Sequence, residues 1–353
     1  MKVLMNRFSS SKQPVALSRS GAIALATVVG AAATAAWVAV RARRAERHNP
    51  PAGEFIDIDG VDLHFVARGE GPPVVLIHGN TVTHADFIAS GLMDRLARNH
   101  RVIAFDRPGF GHSSRPRDRL WTPAAQADLL IAALERLGIE RPVVVGHSMG
   151  TMVAVAMALD HPESVRRLVL IGGYFYPSLR VDALLTAPVA LPVLGDVMRY
   201  TVTALSSRLM LRKMAQAMFA PRELPDNFFP IVSREMMLRP VQLRANAEDA
   251  AFMVPAAHAM SKRYGELVLP VTLIAGEDDV VVDPQAQSVR LHDELPQSEL
   301  FLVPGVGHMA HYAALDRVVN AIDTPVQAVS LDHFTSMTED DLTLGAEPEM
   351  GGR

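Results

Sequence analysis

Short runs of consecutive apolar residues recur between residues 74 and 303, and segments of helical length separate them. Runs this short predict strands that are buried on both faces of a sheet. The six runs are Val74–Ile77, Val102–Phe105, Val143–Val145, Leu168–Ile171, Val271–Ala275 and Leu300–Val303. Because strands that alternate with helices are typical of parallel sheets, we predict an α/β fold with a doubly wound, mostly parallel sheet.

Two more strands are predicted before this series. Phe55–Ile58 and Val61–Val66 flank Asp59-Gly60, a residue pair that is typical of a tight hairpin turn. The hairpin brings the predicted sheet to eight strands and puts the start of the folded domain at residue 54.

The alternation stops after Gly172-Gly173, at the end of the sixth strand. Residues 174–266 contain helix-prone pieces that prolines interrupt, and they are rich in methionine. An insertion at this point would lie above the carboxyl end of the sheet, so we predict a helical cap over 174–266 that acts as a lid. Flexible apolar side chains in the cap would suit an apolar substrate. The predicted helices are Val193–Tyr200, Ala204–Phe219, Phe228–Met237 and Val241–Met260, and the predicted core comprises 54–173 and 267–322.

The N-terminal segment, residues 1–53, is predicted to lie outside this core. Residues 21–40 carry no charge, and about 20 apolar residues are enough to cross a bilayer. We predict an uncleaved, single-pass membrane anchor over 21–40, followed by a basic linker from Arg41 to Gly53. A cleaved signal peptide with a site at Ala33-Thr34-Ala35 is the alternative. Basic residues flank the span on both sides, so the sequence gives no orientation for the catalytic domain.

Composition and charge narrow the function classes. The chain has 353 residues, a net charge of −4 and no cysteine. This charge gives no reason to expect a nucleic acid as partner, and disulfides, thiolate metal sites and a cysteine nucleophile are excluded. No group of His, Asp and Glu has the spacing of metal ligands, so we expect no metal and no cofactor. Beyond Asp323 the sequence turns acidic and loses apolar periodicity, which predicts a disordered tail over 323–353.

The chemistry centres on one serine. Val143–Val145 leads into Gly146-His147-Ser148-Met149-Gly150, and an apolar run of helical length follows. Side chains two residues to either side of so sharp a turn would collide with the backbone, and glycine at both positions removes that collision. The pattern matches the G-x-S-x-G nucleophile elbow, so we predict that Ser148 is a nucleophile.

A serine nucleophile needs a base and an orienting acid. His308 lies in a Gly-rich loop directly after the last predicted strand, which favours it as the base. The loop after Ala275 supplies carboxylates in the chain order expected for the acid, between the serine and the histidine. The candidates are Glu277, Asp278, Asp279 and Asp283, of which Asp283 before Pro284 is typical of a helix N-cap.

Five motifs together resemble the α/β-hydrolase fold superfamily over about residues 54–322. They are HGN (78–80), DRPGFGHS (106–113), GHSMG (146–150), GEDDVVVDP (276–284) and GVGHM (305–309). The resemblance implies that Asp279 is the acid of a Ser148–Asp279–His308 triad. It also implies an oxyanion hole formed by the backbone N–H groups of Met149 and Asn80.

Differences from subfamily patterns narrow the reaction that the resemblance implies. Haloalkane dehalogenases and epoxide hydrolases are similar at HGN and DRPGFGHS but carry Asp at the elbow. Asn80-Thr81-Val82 differs from the Gly-Pro-Gly usual in proline iminopeptidases and meta-cleavage C–C hydrolases, and from the aromatic residue of cofactor-free haloperoxidases. We therefore expect a membrane-anchored carboxylesterase or lipase-like enzyme that cleaves small-molecule esters of apolar acids through an acyl-enzyme on Ser148.

Two alternatives to this expectation stay open. The same triad would also serve an acyltransferase, a thioesterase or a C–C bond hydrolase. A hydrolase fold without catalysis could instead act as a membrane-tethered binding protein.

Overall fold

The computed structural model describes residues 18–179 and 181–324, without the side chains of 181–183. Eight strands form one sheet in the order β1-β2-β4-β3-β5-β6-β7-β8. They are β1 (Glu54–Ile58), β2 (Val61–Arg68), β3 (Pro73–Ile77), β4 (Arg101–Phe105), β5 (Val143–His147), β6 (Arg167–Ile171), β7 (Val271–Gly276) and β8 (Ser298–Val303). β2 is antiparallel to β1 and β4, and the other neighbours are parallel. The predicted α/β fold with a mostly parallel sheet is confirmed.

The central strands are buried on both faces, as their continuous apolar sequences predict. Every residue of β5 and β6 is buried. Val144 belongs to one hydrophobic core, whereas Val143 and Val145 belong to a second core on the opposite face. Successive side chains of a strand point to opposite faces, so the sheet lies between two helical layers.

Helices of the two layers connect the strands. Before β6 these are α2 (Ala85–Ala89), α3 (Leu92–Leu96), α4 (Pro123–Arg136) and α5 (Met149–Asp160). After β7 they are α12 (Arg290–Glu294), α13 (Ala310–Ala313) and α14 (Leu315–Asp323). α4 and α5 contribute to the first core, and α3 and α14 contribute to the second.

The chain between β6 and β7 forms six helices. They are α6 (Val181–Ala190), α7 (Leu194–Tyr200), α8 (Val202–Phe219), α9 (Phe228–Val232), α10 (Arg234–Met237) and α11 (Pro240–Met260). The four predicted pieces overlap α7 to α11, whereas α6, which contains Pro188, was not predicted. α11 contacts the loop after β3: Asn246 Oδ1 accepts a hydrogen bond from the Thr81 N–H at 2.8 Å, and Gln242 Nε2 donates to the Thr81 carbonyl at 2.7 Å.

The N-terminal helix α1 (Arg19–His48) is longer than the predicted span. It continues through residues 41–48, for which the sequence predicted a linker, because this part pairs with α10 and with Arg239, the residue before α11. Arg41 lies 3.0 Å from Glu235, and Arg239 lies 2.9 Å from Glu46. An 18-residue window of α1 has a mean hydropathy of 2.0 and is only 6% buried, so α1 is long and apolar enough to cross a membrane. The predicted tail from residue 325 onward lies outside the described residues.

Candidate active site

The elbow forms where the sequence predicts it. β5 ends at His147, α5 begins at Met149, and Ser148 between them has φ 51° and ψ −120°. A positive φ is costly for a residue with a side chain, so the surrounding structure must hold it. A Cβ at Gly150 would lie 2.1 Å from the Ile77 carbonyl oxygen, which explains the glycine at that position. Ser148 is partly exposed although both of its neighbours are buried.

The acid and base candidates meet in the loops after β7 and β8. Asp279 Oδ2 accepts a hydrogen bond from His308 Nδ1 at 2.7 Å, and both side chains are almost fully buried. Asp279 Oδ1 accepts from the N–H groups of Val281 and Val282, which fixes the carboxylate. Asp283 instead caps the following helical turn, as predicted, by accepting from two backbone N–H groups. With Nδ1 engaged as the donor, His308 has Nε2 left for a proton transfer.

Ser148 and His308 lie at the same edge of the sheet. The Ser148 N–H donates to the Ile171 carbonyl at 2.9 Å, and the next residue, Gly172, lies against the His308 ring. A Cβ at Gly172 would be 3.2 Å from His308 Nδ1. From the other side, His147 Nε2 donates to the His308 carbonyl at 3.2 Å. The serine turn and the histidine loop are therefore joined by direct contacts.

Two backbone amides next to the serine are available. Met149 is the first residue of α5, so its N–H has no acceptor within the helix. Asn80 follows Gly79, and a Cβ at Gly79 would lie 2.9 Å from the Ser148 Cβ. Within residues 18–179 and 181–324, neither the Asn80 N–H nor the Met149 N–H donates a hydrogen bond. Free N–H groups at a helix start favour negative charge.

A buried arginine holds the loop that carries Asn80. Arg107 Nε donates to the His78 carbonyl at 2.9 Å, and its NH2 group donates to the Gly79 carbonyl at 3.2 Å and to Asn80 Oδ1 at 2.8 Å. The Arg107 N–H also donates to His78 Nε2 at 3.0 Å. Burial, and then the charge of Arg107, lowers the pKa of His78 to about 3. His78 is thus neutral near pH 7 and able to accept this hydrogen bond.

Arg107 is in turn paired with the helix α11. Asp249 Oδ2 accepts from Arg107 at 2.5 Å, and Asp249 Oδ1 accepts from Arg115 at 2.9 Å and from Gln126 at 3.2 Å. The side chains of Arg107, Arg115 and Asp249 are all inaccessible to solvent. This network connects the segment between β6 and β7 to the loop beside Ser148.

Asp106, directly after β4, is held in a buried hydrogen-bond network. Its two carboxylate oxygens accept hydrogen bonds from His64 Nδ1 and His84 Nδ1, each at 2.8 Å. Burial acts to raise the pKa of Asp106, but the charges and hydrogen bonds of His84 and His64 hold it well below its usual range. The same carboxylate, opposing the effect of burial, raises the pKa of His84. These two hydrogen bonds fix the first residue of the DRPGFGHS loop.

A second buried network lies behind the elbow. His311 Nε2 donates to Asp86 Oδ2 at 2.9 Å, and the Tyr312 hydroxyl donates to Asp86 Oδ1 at 2.7 Å. The His147 ring lies between those of His308 and His311, with centroid separations of 5.1 and 4.5 Å. Burial lowers the pKa of His147 well below its usual value, and the neighbouring His311 and His308 lower it further. A neutral His147 can present Nε2–H to the His308 loop.

The fold brings together two groups of His and Asp that the sequence spacing did not reveal. They are His64, His84 and Asp106, and Asp86, His147 and His311; each group offers three ligand atoms within 4.8 Å of one another. In the first group both ring Nδ1 atoms donate to the carboxylate, and in the second His311 Nε2 does so. These atoms therefore act as hydrogen-bond donors, which suits a proton network better than a metal site.

Sequence reasoning missed the residues that support the site. These are Arg107 and Asp249, which act on the Asn80 loop, and Asp86 and His311, which lie behind the elbow. Only the DRPGFGHS motif gave a signal, because it contains Arg107. Their partners lie on other elements, 142 residues away for Arg107 and 225 residues away for His311.

Comparisons with known proteins agree with this architecture. A 2-hydroxymuconate semialdehyde hydrolase of Pseudomonas putida is 29% identical over 285 residues, which cover 79% of this chain and 95% of that protein. Haloalkane dehalogenase 2 of Mycobacterium tuberculosis is 26% identical over 285 residues, which cover 77% of this chain and 94% of that protein. A solved esterase of Thermogutta terrifontis is 22% identical, with a TM-score of 0.58 over 76% of this chain and 94% of that one, which shows a shared fold.

The family model described as alpha/beta hydrolase fold matches residues 72–314, which include the elbow and the loops of Asp279 and His308. This match covers more than half of the chain. The protein therefore belongs to the α/β hydrolase fold family.

Proposed function

We propose that the protein is a serine hydrolase that cleaves carboxylic esters, with Ser148, His308 and Asp279 as its catalytic triad. The observation that carries this proposal is the Asp279–His308 hydrogen bond of 2.7 Å, at the same sheet edge as a serine with φ 51°. A serine at the elbow also differs from the aspartate expected there in a dehalogenase.

This arrangement supports the following reaction. Ser148 Oγ forms a bond to the ester carbonyl carbon while its proton moves to His308 Nε2, and the N–H groups of Met149 and Asn80 stabilise the oxyanion. Donors of this kind contribute roughly 3 kcal/mol each. The alcohol leaves with the proton from His308, giving an acyl-enzyme. Water then attacks the acyl carbon, its proton passes through His308 to Ser148, and the acid is released.

Cleavage of a carbon–carbon bond is the second candidate. The 29% identity to a 2-hydroxymuconate semialdehyde hydrolase over 285 residues favours it. That relative covers most of both chains, so the similarity extends across the core and the segment between β6 and β7. In such a reaction the same serine and histidine would act on the carbonyl of a semialdehyde instead of an ester.

Turnover of p-nitrophenyl esters by wild type and Ser148→Ala tests the proposal. We expect turnover and covalent labelling by a fluorophosphonate in wild type, and the loss of both in Ser148→Ala. Ser207→Ala, at a serine of α8, is the control that should keep both. Equal turnover in Ser148→Ala and wild type would contradict the proposal. Turnover of 2-hydroxymuconate semialdehyde but of no ester would favour the second candidate.

We also propose that α1 anchors the protein in a membrane as a single span. Its exposed apolar surface and its length support this location. Retention in the membrane fraction after carbonate washing, with an N-terminal tag still attached, would be the expected result. Release of a shortened, soluble chain would instead indicate a cleaved signal peptide.

A further inference from the structure

Exposed apolar side chains are concentrated in two parts of the molecule. Of the 23 large hydrophobic residues that are exposed in the described chain, 6 lie on α1 and 12 lie between residues 179 and 214. The second set occupies α6, α7 and α8 and the turns beside them, and Leu209, Leu185 and Val193 are among its most exposed members, at 81%, 75% and 75%. We call this set the α6–α8 surface. Exposed apolar patches of this kind are typical of sites that bind another protein or a membrane.

The α6–α8 surface continues directly from α1. Val38 of α1 packs against Ala204 of α8 in one small buried cluster. The guanidinium of Arg208 lies 5.4 Å from the centroid of the Trp37 ring. Leu205 and Leu209 follow these two α8 residues in the sequence and are 43% and 81% exposed. Apolar side chains of α8 are thus exposed beside the point where α1 leaves the domain.

The dimensions of α1 match a bilayer. Contacts with the domain hold its C-terminal part, from Trp37 onward, whereas residues 22–33 are exposed throughout. The 18 residues from 19 to 36 span about 27 Å at 1.5 Å per residue, close to the thickness of a hydrocarbon core. Trp37, 42% exposed, would then lie at the membrane interface, at the level of α8.

Charges around the α6–α8 surface suit a lipid headgroup layer. Asp182 and Asp196 are the acidic residues from 179 to 220 in the sequence, and Asp196 is paired with Arg117 and Arg199. Arg212 and Lys213 are exposed at the end of the surface. Basic side chains beside apolar ones bind interfaces that contain anionic lipids.

We infer that the α6–α8 surface docks onto the lipid leaflet into which α1 inserts. The inference rests on the proposed anchor and assigns the surface to lipid, not to a protein partner. The end of α8 lies against Gly307, the residue before His308, since a Cβ there would meet the Met218 and Ala220 carbonyl oxygens. Docking of this surface would therefore bring the proposed active site close to the membrane interface, so the ester substrate class is one that partitions into lipid.

Single cysteines test the docking surface directly, since the chain has none of its own. The full chain carrying Leu209→Cys is labelled with bimane and reconstituted into vesicles of phosphatidylcholine and phosphatidylglycerol, with and without brominated phosphatidylcholine. Val268→Cys is the matched control, because Val268 is 79% exposed and lies before the amino end of β7. Val28→Cys, in the proposed span, reports the insertion of α1.

We expect brominated lipid to quench the labels at 209 and 28 at least twofold and to leave the label at 268 unchanged. Quenching at 28 alone would overturn the docking surface while leaving the anchor, and no quenching at any position would overturn both. The label at 209 could instead become buried as the protein-to-lipid ratio rises, without quenching by brominated lipid. That result would indicate contact with a second copy of the chain and would also overturn the inference. None of these measurements depends on hydrolysis, so failure of the docking inference is distinguishable from failure of the esterase proposal.

Discussion

Replacement of Asp249 by Asn tests whether the buried arginine network supports both the stability and the activity of the enzyme. The carboxylate of Asp249 is the only acidic partner of Arg107 among the described residues, and it also pairs with Arg115. The Asp249→Asn substitution would keep the shape of the side chain but remove its negative charge. Arg107 would then be a buried cation without a counter-charge, next to the loop that carries Asn80.

The size of the expected loss of stability follows from the burial of these charged groups. Loss of one partner of a fully buried ion pair costs about 3–5 kcal/mol, because the remaining charge stays desolvated. Arg115 keeps Glu248, at 2.6 Å, so the cost falls mainly on Arg107. We therefore expect the free energy of unfolding to fall by about 3–5 kcal/mol. A shift of the Asn80 N–H by about 1 Å would lower kcat for the ester about 100-fold.

Urea denaturation followed by circular dichroism in detergent micelles measures the first effect, and ester kinetics measure the second. Glu248→Gln is the matched control, because Glu248 is partly exposed, lies on the same helix and pairs with Arg115 but not with Arg107. We expect it to cost about 1 kcal/mol or less. Equal destabilisation by the two variants would refute the reasoning about the buried charge. A kcat that is unchanged in folded Asp249→Asn would refute the connection to the Asn80 loop.

Three further predictions concern the site itself. Asp279→Asn should lower kcat about 1,000- to 10,000-fold, because His308 loses its orienting anion, while fluorophosphonate labelling slows in parallel; unchanged labelling would contradict the role. Gly79→Ala should lower kcat about 100-fold, because its Cβ would lie 2.9 Å from the Ser148 Cβ, and an unchanged kcat would show that the loop yields. The pKa of His78 is about 3 in the folded protein and 6.5 in the unfolded chain. As the pH falls below 6.5, only the unfolded chain binds a proton at His78, so the folded protein loses stability. Urea denaturation should show about 2 kcal/mol less stability at pH 5 than at pH 7 from this group, and His78→Asn should reduce that difference.

The parts of the site that are local in sequence could be predicted, and the parts that need distant contacts could not. Gly146, Ser148 and Gly150 lie in one turn, so their steric relation is visible in the sequence. Asp279 and His308 each follow a recognisable strand. The chain order alone left four carboxylates as candidates, and the structure shows that Asp279 contacts His308.

Charge pairs between distant elements explain the largest differences. Arg107 pairs with a carboxylate 142 residues away, and no periodicity reports such a contact. The same reason applies to α1, for which the sequence predicted an apolar span that ends at residue 40. Arg41 contacts Glu235, 194 residues away, and such pairs turn an apparent linker into a packed helix.

The network around Arg107 couples the position of one helix, α11, to the loop beside Ser148. α11 contacts the loop after β3 directly through Gln242 and Asn246, and Asp249 reaches it by way of Arg107, so a displacement of α11 would carry the Asn80 amide away from Ser148. Opening of the enzyme on that side would therefore disrupt the proposed oxyanion hole. Because α6 packs against α11, a displacement of α6 would pass through α11 to the Asn80 amide, and contact with the membrane and readiness for catalysis would then be coupled.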